Sequence, residues 1–269
     1  MSTTEPNATP ASAGLLRSAR QLLKRSGREK TGLFLTEGVP TVREALRANR
    51  VTTLILEDLT RYPELLLEVA DEVQVVTADS SALAGLTDTV TNQGVVAICR
   101  VESTRLADLP GNPKLVVICS QVRDPGNAGT VIRCADAFGA DVVIFTTDSV
   151  EVTNPKTVRS SVGSVFHLPI VSGVQLSDAL DWARDEQLQV LAADARGRGI
   201  DELLETGQLQ HPTAWVFGNE AWGFADIDLG DAEFVSVPMW GKAESLNLST
   251  AAAICLFGSA TAQHKSLDN

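Results

Sequence analysis

The run Leu115–Cys119 reads LVVIC, apolar at every position instead of every second one. A strand that alternates shows one face to water. A strand that is apolar throughout is buried on both faces, as in a parallel sheet covered by helices on either side. The residues downstream keep this pattern. A sharp turn at Arg123-Asp124-Pro125-Gly126-Asn127 leads into a helix in AGTVIRCADAFGA, and a strand covers 141–145. A helix starts at Asn154 with Pro155 in its first turn, another covers 177–186, and LQVLAA, AWVFGN and EFVSV read as further strands. Alternating elements with nearly continuous apolar strands predict an α/β fold built on a parallel sheet.

Residues 14–104 repeat the alternation in shorter pieces. LLRSARQLLKR, VREALRA and PELLLEVA have helical periodicity, as does a short segment at 80–86; GLFLTE, TTLILED, VQVVT and GVVAICR read as strands. This predicts a small α/β domain at 14–104, a turn-rich linker at 105–114 and a larger domain at 115–269. Residues 1–13 are small and polar without an apolar centre, so the expectation is a disordered tail and neither a signal peptide nor a membrane span. Cys99, Cys119, Cys134 and Cys255 lie far apart without a CxxC pair. They read as free thiols of a cytoplasmic protein, with no zinc site and no metal.

A formal net charge of -12 argues against bulk attraction to nucleic acid. Its distribution argues the other way: Arg17, Arg20, Lys24, Arg25, Arg28 and Lys30 share one stretch with a single acid, Glu29. Read as one basic helix over 17–30, the stretch is either a solvated face or a surface that holds phosphates.

Three loops at predicted strand ends carry polar chemistry. Asn127 is placed to cap the helix after the first strand, and Arg133 follows less than two turns later. Phe217-Gly218-Asn219-Glu220 closes another strand, where glycine lets a ligand touch backbone. Pro238 ends a third, and the loop through Gly241 and Glu244 reaches Ser245-Leu246-Asn247, which opens a helix rich in Ser, Thr, Ala and Gly. Singly these are a capped helix and two turns; together they form a ligand seat.

NAGTVIR, FGNE and VPMWGKAESLNLS, in this order, resemble the three motifs of the SpoU (TrmH-like) ribose 2'-O-methyltransferases of the SPOUT superfamily. QVRDPGNAGTVIRCADAFGA and TVRSSVGSVFHLPI extend the likeness, and GLFLTEG and NQGVVAI resemble the small ribosomal-protein-like RNA-binding domain that many of these enzymes carry. The resemblance implies a SPOUT domain with a deep trefoil knot, bound S-adenosylmethionine and a homodimer. It places Gly218, Val237 and Leu246 at the backbone positions that hold the cofactor, with Asn219, Pro238, Met239 and Gly241 beside them. It places Asn127, Arg133, Glu220, Ser245 and Asn247 in the active site. Arg17, Arg20, Lys24, Arg25, Arg28 and Arg159 then become RNA contacts. The implied reaction is methyl transfer to a ribose 2'-hydroxyl, with ribosomal RNA ahead of tRNA; a silent RNA-binding assembly factor of the same fold is the other reading. A nucleotide-binding oxidoreductase lacks its GxGxxG. Trp222 and Trp240 stand in the motif loops, where packing, pocket closure and base stacking are all open to them.

Overall fold

A computed structural model describes residues 8–87, 89, 92–219, 223, 224 and 227–267. In chain order, the first elements are β1 (Thr9–Pro10), α1 (Ala13–Gln21), α2 (Arg25–Thr31), β2 (Leu33–Glu37), α3 (Val39–Arg47), β3 (Val51–Leu56), α4 (Pro63–Leu66), β4 (Gln74–Thr77), α5 (Ser80–Ala84) and β5 (Val95–Arg100). Then come β6 (Leu115–Cys119), α6 (Pro125–Ala137), β7 (Val142–Thr146), α7 (Pro155–Ser161), β8 (Ile170–Val174) and α8 (Leu176–Asp185). The last are β9 (Gln189–Gly199), α9 (Ile200–Glu205), β10 (Thr213–Phe217), β11 (Glu233–Ser236) and α10 (Leu248–Leu267). Two compact units result: Met1–Glu102 with Thr153–His167, and Ser103–Val152 with Leu168–Asn269.

The first unit is a mixed sheet in the order β1-β4-β3-β5-β2, with β5 antiparallel to both its neighbours. Alternation along β2 and β3 sends Phe34, Leu54 and Leu56 to one face and Leu35 and Ile55 to the other. α7 joins this unit through Val158, buried with Phe34 and Val42, and Phe166 just beyond it stacks on Phe34 at 6.0 Å between ring centres.

Three expectations for this unit change. The polar start is ordered from Thr9 onward, because Thr9 and Pro10 pair with Val76 and Thr77 and the Ser12 hydroxyl caps α1 by accepting from the Leu15 N–H. The predicted basic helix is broken into α1 and α2. Gly27 sits so close to the end of α1 that a Cβ there would lie 2.1 Å from the Gln21 carbonyl oxygen, a contact only glycine permits. PELLLEVA keeps helical geometry only over α4.

The second unit is a six-stranded, wholly parallel sheet in the order β11-β9-β10-β6-β7-β8. Every residue of β6, β7 and β10 is buried, which is why their sequences do not alternate. One face packs Val116, Ile118, Ile144 and Val216 against Leu180 and Ala183 of α8. On α10, Ala252, Cys255, Leu256 and Ser259 are buried, and Ser259 accepts a hydrogen bond from the Trp215 indole N–H at 2.9 Å. Burying a large apolar side chain stabilises by roughly 1.5–3 kcal/mol, and the indole keeps that gain because its N–H has a partner. The small residues of α10 serve close packing: a Cβ on Gly258 would lie 3.3 Å from side-chain carbons of both Ile200 and Leu209. β8 and α9 had no counterpart in the sequence reading; IVSGV is short and Gly-containing, and IDELLE spans under two turns. Among the described residues no helix is long and apolar enough to cross a membrane.

Candidate active site

A parallel sheet collects the carboxyl ends of its strands on one edge, and the loops leaving β6, β10 and β11 all start there. After β6 the chain turns through Gln121, whose φ is +53° and whose N–H donates to the Thr146 hydroxyl at 3.1 Å. Asp124, not Asn127, is the N-cap of α6, accepting from the Asn127 N–H at 2.8 Å. The correction has a sequence rationale: Asp-Pro places a cap immediately before proline at the first helical position.

Relieved of capping, the Asn127 side-chain oxygen accepts from Nδ2 of Asn247 at 3.0 Å. Asn247 is itself the cap of α10. Its Oδ1 accepts from the Ser249 N–H at 2.9 Å and the Ser249 hydroxyl at 2.6 Å, so α10 opens at Leu248 and not at Ser245 as expected. With its oxygen on the cap and its nitrogen on Asn127, the amide has one orientation. The first and third motif loops are thereby joined.

The second loop is tied in through Asn219, a buried side chain whose Nδ2 donates to the Gln121 carbonyl at 3.0 Å. Its own carbonyl accepts from the Gly223 N–H at 2.8 Å. A Cβ on Gly218 would lie 2.8 Å from the Gly223 carbonyl oxygen and 2.9 Å from the Phe224 ring, so glycine is required by a close approach of backbone. Glu220 and Trp222 lie outside the described residues.

Beyond β11, Val237, Pro238, Met239 and Leu246 are half-buried, whereas Gly241 and Ser245 are exposed. Among the described residues, the main-chain groups of Val237, Met239 and Leu246 form no hydrogen bond within the chain. Half-buried amides without internal partners beside apolar side chains suit the adenosine part of S-adenosylmethionine, which needs backbone donors and acceptors next to an apolar surface. Arg133 is exposed and forms neither a hydrogen bond nor an ion pair among the described residues. The Trp240 side chain is 91% exposed, so it does not pack within the chain.

Two residues that the sequence reading did not single out border this site. Asp194 and Arg196 form a bidentate pair at 2.9 and 3.0 Å, and the Arg196 hydrogen bonds hold the Asp194 carboxyl below the usual carboxylate range. Burial pushes the Cys134 thiol up. No group of three His, Cys, Asp or Glu among the described residues is placed to hold a metal ion.

The basic residues of the first unit divide. Arg17, Arg20, Lys24 and Lys30 are exposed, and Arg25 pairs with Glu29 at 2.7 Å. Arg28 is buried, and its Nη1 donates to the carbonyls of Leu22 and Leu23 at 2.8 and 3.1 Å, closing the end of α1. Its burial is at odds with the expected surface contact to RNA and gives it a structural role. Arg159 donates to Glu37 at 2.9 Å within the same unit.

Residues 114–257 match the SpoU rRNA Methylase family, more than half of the chain. The chain belongs to that family. Residues 15–97 of this SpoU chain match the MRM3-like substrate binding domain. It is 33% identical to the Bacillus subtilis (strain 168) 23S rRNA (guanosine(2553)-2'-O)-methyltransferase RlmP, over 88% of this chain and 92% of that protein. It is 29% identical to the Streptomyces viridochromogenes 23S rRNA (uridine(2479)-2'-O)-methyltransferase, over 87% and 84% of the two chains. Among solved structures it is similar to the SpoU methyltransferase AviRb from Streptomyces viridochromogenes in complex with the cofactor AdoMet. That comparison has a TM-score of 0.81 and 28% identity, covering 95% of this chain and 99% of that one. The AdoMet-bound rRNA methyltransferase from Sinorhizobium meliloti gives a TM-score of 0.80 at 28% identity, over 94% and 97%.

Proposed function

We propose that this SpoU chain transfers a methyl group from S-adenosylmethionine to a ribose 2'-hydroxyl of ribosomal RNA. The observation that carries this reading is the Asn247–Asn127 hydrogen bond, which joins two family motifs at one edge of the parallel sheet next to amides without internal partners. When bound, S-adenosylmethionine supplies a methyl group already activated by its sulfonium, so the protein must align the acceptor and support charge on its oxygen.

The backbone of Gly218, Val237 and Leu246 holds the cofactor, with Asn219, Pro238, Met239 and Gly241 shaping its seat. Asn127, Ser245 and Asn247 orient the ribose, and Glu220 orders the loops between them. Arg133 acts as a donor. A guanidinium stays protonated in proteins, so it steadies the oxygen that loses its proton, or fixes a substrate phosphate, while the proton leaves to water.

The first unit brings RNA through Arg17, Arg20 and Lys24, with Arg25 and Arg159 contributing when RNA displaces their carboxylate partners. The Ser, Thr, Ala and Gly of α10 allow the close backbone passage that a trefoil knot requires. A second copy of the chain covers the exposed side chains of Leu204, Ile254 and Phe257, which line an apolar groove of about 450 Å³. Free buried thiols suit the cytoplasm.

The test incubates the protein with labelled S-adenosylmethionine and unmodified 23S rRNA or tRNA transcripts, beside Arg133→Ala. Label at one 23S nucleotide, lost in the variant, is the expected result. Label confined to tRNA overturns the substrate, and cofactor binding without transfer to either RNA favours a silent assembly factor. Sedimentation of Phe257→Asp should give half the mass of the wild type; an unchanged mass would remove α10 from the dimer.

A further inference from the structure

The pairing of β9 with β11 contains a break that the reaction as described does not use. Glu233 and Phe234 face Leu191 and Ala192, but the next residue, Val235, faces Arg198. Residues 193–197 are therefore looped out of the ladder, which resumes at Arg198 and Gly199. The loop is held tightly. The Ser236 hydroxyl donates to the Gly197 carbonyl at 2.9 Å, and a Cβ on Gly197 would lie 2.2 Å from the Phe234 main chain, so the excursion lies flat on β11.

What the loop presents is one cation in a fixed plane. The guanidinium of Arg196 lies over the ring of Phe234, 5.9 Å from its centre, and Asp194 grips the Nε and Nη2 edge. Asp194 also accepts from the Arg196 main-chain N–H at 2.9 Å. Nη1 has no hydrogen-bond partner among the described residues, on a side chain that remains 75% exposed despite an ion pair and a ring contact. An arginine held this way has little rotamer entropy left to lose on meeting a phosphate.

The cation also belongs to the site. Phe234 packs on Phe224 at 6.0 Å between ring centres, Phe224 is the ring against Gly218, and Asp194 Oδ2 lies 3.8 Å from where a Cβ on Gly223 would be. Arg196, Phe234, Phe224 and the Gly218–Asn219 turn thus form one connected patch. Asp194 balances the Arg196 charge, so in a protein with net charge -12 the patch offers RNA an oriented charged donor beside the strand ends and not a positive field.

We infer that Arg196, set on Phe234 by Asp194, is a positioning residue that grips a backbone phosphate of the substrate RNA beside the nucleotide being methylated. The inference rests on the reading of the site as an RNA methyltransferase. A phosphate fits because its oxygen accepts a charge-assisted hydrogen bond from the remaining Nη1, and the contact positions RNA without reading its sequence.

The experiment compares wild type, Arg196→Ala, Arg196→Gln and, as control, Arg105→Ala. Arg105 is an exposed arginine with a similar bidentate carboxylate, Asp108, at 2.7 and 2.8 Å. Methyl transfer to an unmodified 23S rRNA transcript gives KM and kcat, binding of the same transcript is followed over a potassium chloride series, and calorimetry gives the S-adenosylmethionine affinity. For both Arg196 variants the expected result is a rise in RNA KM of roughly tenfold with kcat within about twofold. The slope of log K against log salt should become shallower by roughly 0.7–0.9, the share of one phosphate. Cofactor affinity should stay at the wild-type value, and Arg105→Ala should match wild type throughout. Unchanged KM and salt slope overturn the inference. So does a fall in kcat or cofactor affinity at an unchanged slope, which would make Arg196 a clamp on the site loop. If the wild type binds the transcript but transfers no methyl, the reading of the reaction fails, and the salt slopes still decide what Arg196 does.

Discussion

The two sheets are built from the same alternation of helix and strand, yet only one collects a candidate active site. In the first unit β5 runs against β3 and β2, so its carboxyl end faces the opposite edge from theirs. In the second unit all six strands run one way, so the loops after β6, β10 and β11 must leave by a common edge, where Asn247 bonds Asn127 and Asn219 bonds the Gln121 carbonyl. Two arginines, one in each unit, show a related contrast. Arg28 is buried and donates to two carbonyls, whereas Arg133 is exposed and its side chain has no partner among the described residues. Strand direction, more than composition, separates the unit whose strand-end loops converge on a candidate active site from the unit whose strand ends point both ways.

The sharpest way to break this contrast is to remove the two arginines. Arg133→Ala should lower methyl transfer by about 10²–10³-fold with cofactor affinity nearly unchanged, and Arg133→Lys should recover little of it. A single-turnover assay beside calorimetry checks this, and near-wild-type transfer by the lysine variant would end the planar-donor account. Gly218→Ala should come next. Its Cβ meets the Gly223 carbonyl oxygen and the Phe224 ring, neither of which can retreat freely. A loss of about 1–3 kcal/mol in stability is expected, together with weaker cofactor binding, read by urea unfolding with and without S-adenosylmethionine.

Arg28→Ala is the mirror image of the Arg133 test. It should destabilise by about 1–3 kcal/mol, since two carbonyls at the end of α1 lose a charged donor, while leaving the salt slope of RNA binding as it was. Arg20→Ala with Lys24→Ala should do the reverse. If Arg28→Ala flattened the salt slope instead, its burial would not describe the RNA-bound protein. Asn247→Ala should cost about 1 kcal/mol through the lost cap. Asn247→Asp keeps an acceptor for the cap and loses the donor to Asn127, so it should melt near wild type yet transfer methyl poorly.

The smallest effect at neutral pH is one the two units share. Burial pushes the thiols of Cys99, in the first sheet, and Cys255, in α10, up to about 12. In the unfolded chain a thiol ionises near about 8.5. A raised folded value means that this contribution to stability is intact below about pH 8.5 and is lost as pH rises from there toward 12. Urea midpoints at pH 7 and pH 10 check the sign; a midpoint that rises with pH would contradict the burial of both thiols.

Much of this organisation was legible in the residues. LVVIC predicts a strand buried on both faces, and β6 is one; the three motif strings predict a site at strand ends, and two of them meet through Asn127 and Asn247. Other features leave no local trace. The choice of Asp124 over Asn127 as cap was readable from Asp-Pro and was missed because Asn127 also suits a cap. The break between α1 and α2 depends on how closely Gly27 approaches Gln21, a contact between segments. The excursion at 193–197 lies where LQVLAA ends as a strand in the sequence, and only the pairing of β11 on either side of it returns the chain to the sheet.

By itself, the sequence determined the class of fold, the family and the polar residues at the strand ends. These follow from periodicity and from short strings, which are properties of neighbours in the chain. Only the tertiary structure decided which of those residues are available. Whether an arginine is a buried clasp, as Arg28 is, or an exposed donor, as Arg133 is, depends on which carbonyls and carboxylates the fold brings within hydrogen-bond reach, and those partners come from other turns and other strands.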